Sequence, residues 1–68
     1  MEDYSKRLGD NLKKIRMKKS ITQIEIAKKL GVDRSFVSNI ENGKTNPTLS
    51  TITNLANALD VPVNELLK

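Results

Sequence analysis

Cysteine, histidine and tryptophan are absent from this 68-residue chain, which holds one tyrosine and one phenylalanine. Without cysteine there is no disulfide and no thiolate metal site. Without histidine the usual zinc ligand and the usual general base are missing as well. No paired-carboxylate motif or glycine-rich phosphate loop replaces them, so neither catalysis nor a bound metal or cofactor is expected. Met1 to Ser20 contains no apolar run, which argues against a signal peptide. Nowhere does the chain approach the ~20 apolar residues of a membrane span. A cytoplasmic protein with no membrane partner is expected. Low-complexity segments and internal repeats are also lacking. A chain of this size buries only ~60% of its unfolded surface. Its stability must come from close helix packing, from oligomerisation, or from both. One domain spanning residues 1–68 is expected.

What the chain has is positive charge, unevenly placed. The net charge is +4. Residues 1–44 hold eleven Lys or Arg against six Asp or Glu, whereas residues 45–68 hold one against two. Five of the seven residues from Lys13 to Lys19 are basic. A run of this kind is either a solvated helix face or the footprint of a polyanion.

Apolar spacing predicts five helices and no strands. Leu8, Leu12 and Ile15 mark one stripe on a first helix from about Ser5 to Lys18. Thr22-x-x-Glu25 is a capping box for a second helix carrying Ile26, Ala27 and Leu30. Gly31 and Val32 form a tight turn. Asp33 is expected to cap a third helix with its carboxylate, and Asn42-Gly43 to end it. Lys44 to Pro47 form a loop. Thr48 caps a fourth helix with Leu49, Ile52, Leu55, Ala56 and Leu59 on one face. After a turn at Asp60 and Val61, Pro62 suits the first turn of a fifth helix ending in Leu66 and Leu67.

The third helix, about residues 33–42, separates cleanly into two sides. At roughly 100° per residue, Arg34, Ser38, Asn42, Ser35 and Asn39 fall within an arc of about 140°. Val37 and Ile40 lie opposite, with Phe36 on the shoulder. An ordinary solvated helix in a chain with 29% charged residues would carry Glu and Lys on that outer arc. These residues suit the major groove instead. Arg pairs with guanine O6 and N7, Asn with adenine N6 and N7, and Ser bonds to several base edges. Arg34, Ser35, Ser38 and Asn39 are therefore candidate base readers, with Phe36 against a thymine methyl.

The pattern Gln23-x3-Ala27-x3-Gly31-x5-Val37-x2-Ile40-Glu41-Asn42-Gly43 resembles the helix-turn-helix of the Cro/CI-type phage repressors, the XRE family. Pro47, Leu55-Ala56-x2-Leu59 and the closing Val61-to-Leu67 segment extend the likeness over about residues 8–67. The resemblance implies an all-α, five-helix, lambda-repressor-like domain. It also implies a transcriptional regulator of repressor type, bound as a homodimer to a two-fold double-stranded DNA operator at the nucleoid. Thr22 and Gln23, at a helix N-terminus, would contact phosphates. So would Asn42, Lys44, Thr45 and Asn46 in the following loop, and Arg16 is grouped with them. The family also pairs an Arg late in helix one with the Glu ending helix three, here Arg16 and Glu41. Dimer contacts are expected in the loop before helix four and around Val61, Val63 and Leu67, unless those side chains belong to the core. Two departures stand out. Ser20 occupies a position usually held by Gly, and Ile24 one that is commonly polar. The same fold also serves protein-interaction modules and antitoxins, so a toxin or anti-repressor partner is the alternative reading.

Overall fold

The computed structural model describes residues 4–68, and the described residues form five helices and no strand. They are α1 (Tyr4–Lys18), α2 (Gln23–Leu30), α3 (Arg34–Glu41), α4 (Leu49–Leu59) and α5 (Asn64–Leu67). None of them is long and apolar enough to cross a membrane. The capping box forms as expected: Glu25 N–H donates to Thr22 Oγ1 at 3.1 Å, and Thr22 N–H donates to Glu25 Oε1 at 2.9 Å. The Thr22 amide, and then its hydroxyl, hold the exposed Glu25 carboxyl below the ordinary carboxylate range. Thr48 caps α4 in the same way, accepting from Thr51 N–H at 3.2 Å.

Four helices end by one device. Ile21, Val32, Lys44 and Val61 each return an amide to the carbonyl five residues earlier, at 2.9, 2.9, 2.9 and 3.0 Å. The residue before each has positive φ: Ser20, Gly31, Gly43 and Asp60. This is the Schellman closure, which glycine fits without strain. Ser20, at φ 59°, takes the strain that its departure from Gly implied. A left-handed L-residue costs about 1–2 kcal/mol, and added unfolded-chain freedom on changing to Gly returns about 0.4–1. Ser20→Gly should therefore stabilise the domain by about 0.5–1 kcal/mol. A higher urea midpoint at unchanged slope is the expected result, and a lower midpoint would refute the strain.

The core draws on all five helices. Leu8, Leu12, Ile26, Ile40, Leu55 and Leu66 are fully buried in it. α1 lies against α3 and α5, and α2 against α3 and α4. α3 is thus held on its inner side by two helices, leaving its outer side free. Asn11 Nδ2 ties α5 to α1 by donating to the carbonyls of Leu66 (2.9 Å) and Lys68 (3.2 Å). Val61, Val63 and Leu67 pack, partly buried, against this core.

Three local expectations are corrected. Asp33 stands at the N-cap of α3, but its carboxylate makes no capping hydrogen bond; the Phe36 amide bonds to its backbone carbonyl instead, at 3.0 Å. Leu49 falls on the apolar stripe of α4 by angle, yet it is 69% exposed. It is the first residue of the helix, so its place along the axis decides its burial rather than its angle. Pro62 precedes α5 rather than joining its first turn, and its carbonyl accepts from the Glu65 amide at 3.0 Å.

Candidate nucleic-acid interface

The sequence Val37-x2-Ile40 supplies the inner side of α3, and both residues are buried. Arg34, Ser35, Phe36 and Asn39 are exposed on the outside, and Ser38 is half-buried. Asn42 Nδ2 reaches Ser38 Oγ at 3.4 Å, joining the end of the helix to its outer row. The expected base readers therefore share one accessible surface.

A chain of polar contacts backs that surface. Arg34 Nη1 donates to Gln23 Oε1 at 3.1 Å. The amide nitrogen of Gln23 donates onward to Glu41 Oε1 at 3.0 Å. Glu41 also accepts from Arg16 Nε at 2.6 Å and Arg16 Nη2 at 3.2 Å, a bidentate pair. Arg16 Nη1 donates to the Ile21 carbonyl at 3.0 Å. The Glu41 side chain is 2% exposed and that of Arg16 15%. No buried side-chain polar atom among the described residues lacks a partner, so this network is complete. Gln23 thereby links the outermost cation of α3 to a buried ion pair between α1 and α3.

That geometry sets Arg16 apart from the phosphate contacts with which the sequence groups it. Its guanidinium is directed at Glu41 and a backbone carbonyl, so it serves as an internal strut. Glu41 matters more than the angular sorting of α3 suggests, because by angle it falls only about 20° outside the outer arc, next to Arg34, and yet it is buried. The structure brings Thr22, Gln23, Arg34 and Asn42 together around one surface hollow of about 370 Å³. Lys13 and Ile24 line it too. Lys44, Thr45 and Asn46 are exposed in the loop after α3 and do not line that hollow. The first-turn amides of α2, on Gln23 and Ile24, have no intrahelical acceptor. Sequence reasoning did not single out Lys13. The signal was its position one helical turn before Arg16, which puts both on one side of α1.

A capped helix, a tight left-handed turn and a second helix buried on one side define a helix-turn-helix protein. A family profile described as helix-turn-helix matches residues 12–66. The immunity repressor protein of Bacillus phage phi105 is 35% identical over 60 residues, an alignment covering 88% of this chain and 42% of the repressor. The chain thus spans less than half of that relative. The restriction-modification controller protein C.AhdI from Aeromonas hydrophila is 37% identical and superposes with a TM-score of 0.86, over 91% of this chain and 94% of that one. The controller C.Esp1396I, solved as a tetramer in complex with its natural 35-base-pair operator, is 28% identical with a TM-score of 0.82 over the whole of both chains. The chain belongs to the helix-turn-helix transcriptional regulators of the XRE family, whose members among these relatives are regulators and not enzymes.

Proposed function

We propose that this chain is a sequence-specific regulator of repressor type that binds a two-fold double-stranded DNA operator as a homodimer, with α3 in the major groove. The observation that carries the reading is the outer side of α3. It is polar and exposed, and Gln23 steadies Arg34 there. Arg34, Ser35, Phe36, Ser38 and Asn39 read base edges. Thr22, Gln23, Asn42, Lys44, Thr45 and Asn46 hold phosphates. The operator complex of C.Esp1396I supports DNA as the partner. A small domain also gains affinity by engaging two half-sites ~34–36 Å apart.

Selection of bound duplexes from a random library, followed by titration of the selected site, tests the reading. Arg34→Ala should cost ~1–3 kcal/mol, about 5- to 150-fold, confined to one base position. Lys44→Ala should instead weaken binding to every sequence alike and flatten its salt dependence. If the unmodified protein binds its selected duplex no better than a random one, the fold is acting as a protein-interaction module. Sedimentation that stays monomeric with and without the duplex would remove the homodimer.

A further inference from the structure

We infer that α1 also grips the DNA backbone, through Lys13, with Ile24 lying against the adjoining sugar. The inference rests on the DNA reading above and assigns one more phosphate contact to it.

The basic run from Lys13 to Lys19 looks uniform in the sequence, but the helix divides it. Arg16 turns inward and is neutralised by Glu41. Lys14 and Lys18 line a separate hollow on the α5 side, with Asn11, Glu65 and Lys68. Lys13 lies on the side of Thr22, Gln23 and Arg34. It is exposed. Its ammonium has no ion-pair or hydrogen-bond partner among the described residues. With Arg16 cancelled, Lys13 and Arg34 are the two uncompensated cations around this hollow. The positive end of the α2 dipole adds to their field. Of the carboxylates here, Glu41 lines the hollow but is paired with Arg16, and Glu25 does not line it and is bonded to Thr22.

The chemistry selects an anionic oxygen on a chain that continues past the hollow. Arg34 has a planar fork suited to a base edge, whereas a lysine acts as a flexible point charge suited to a phosphate. Ile24, 52% exposed on the same hollow, offers an apolar surface beside the charged one. A phosphodiester with its deoxyribose presents those two characters side by side. This also accounts for an isoleucine at a position where a polar residue is common.

The test measures affinity of the full chain for its selected duplex and for a random duplex, from about 50 to about 200 mM salt. Lys13→Met should reduce the slope of log affinity against log salt by about 0.9 per bound protomer. The fold-loss should be equal for both duplexes, and Lys13→Arg should restore the slope. Lys14→Met, which removes the same charge on the α5 side, should leave the slope unchanged. Ile24→Ala should lower affinity at constant slope. A Lys13→Met slope equal to that of an operator-selective unmodified protein overturns the Lys13 contact alone. Equal slope losses in Lys13→Met and Lys14→Met overturn it too, since net charge would then explain both. An unmodified protein with neither duplex preference nor salt dependence overturns this inference together with the DNA reading.

Discussion

Replacing Gly9 by alanine should destabilise this domain by about 2 kcal/mol, although every helix-propensity scale favours the change. Gly9 lies inside α1 and is buried. A Cβ there would fall inside the carbonyl oxygen of Ile40, 2.6 Å from the carbonyl oxygen of Glu41 and 2.8 Å from its carbonyl carbon. These are backbone atoms at the end of α3, so no rotamer change relieves the clash. The helices would have to part by roughly 1 Å, and packed interiors resist such shifts at a cost of about 1–3 kcal/mol or more. Parting them also loosens Leu8, Leu12 and Ile40, which are 1% exposed or less. Alanine returns only about 1 kcal/mol of helix propensity. A clash with backbone atoms this close belongs at the upper end of that range, so sterics win with a net loss of about 2 kcal/mol from a total of about 3–10 for a chain this long. Denaturant unfolding is the check. A Gly9→Ala protein more stable than the parent would show that α1 and α3 approach less closely than this.

The same contact shows where the sequence stops being legible. The five helices, the capping box and the polar side of α3 follow from local spacing, because each depends on residues within a few positions of one another. Ser20 was marked only by the family resemblance, which puts a Gly at that position, and its left-handed φ closes α1. Asp60 takes the same left-handed conformation, but with no Gly at that place the sequence read it as an ordinary turn residue. Nothing in the local sequence singles out Gly9, because its reason lies over thirty residues away at Ile40 and Glu41. Leu49 was misread because angle gives the face of a helix but not how far the core extends along it. The site divides in the same way. Which side chains of α3 face outward follows from a 100° step. That Gln23 bridges Arg34 to Glu41 depends on how α2 crosses α3, and no periodicity carries that information.

Arg16→Ala should be still more damaging to stability than Gly9→Ala, for an electrostatic reason. The change leaves the Glu41 carboxylate in place, with its side chain 2% exposed and only the Gln23 amide bonded to it. Removing one partner of a buried pair costs about 3–5 kcal/mol, because the stranded charge keeps its desolvation penalty. For this chain that approaches the whole ~3–10 kcal/mol expected. Glu41→Ala should cost less, since the Arg16 side chain is 15% exposed and its guanidinium can turn to water. The double change Arg16→Met with Glu41→Leu removes both charges and should recover most of the stability. It also removes the acceptor that holds Gln23. If Gln23 positions Arg34 as its hydrogen bonds indicate, the double variant should be well folded and still discriminate less at the base that Arg34 reads. Denaturant unfolding and duplex titration on the same samples separate the two effects. A double variant as unstable as Arg16→Ala would place the loss in packing rather than stranded charge. One with full stability and full discrimination would show that Arg34 needs no support from beneath. The ion pair is thus assigned two separable tasks, one in the core and one at the surface, and these variants measure each in the absence of the other.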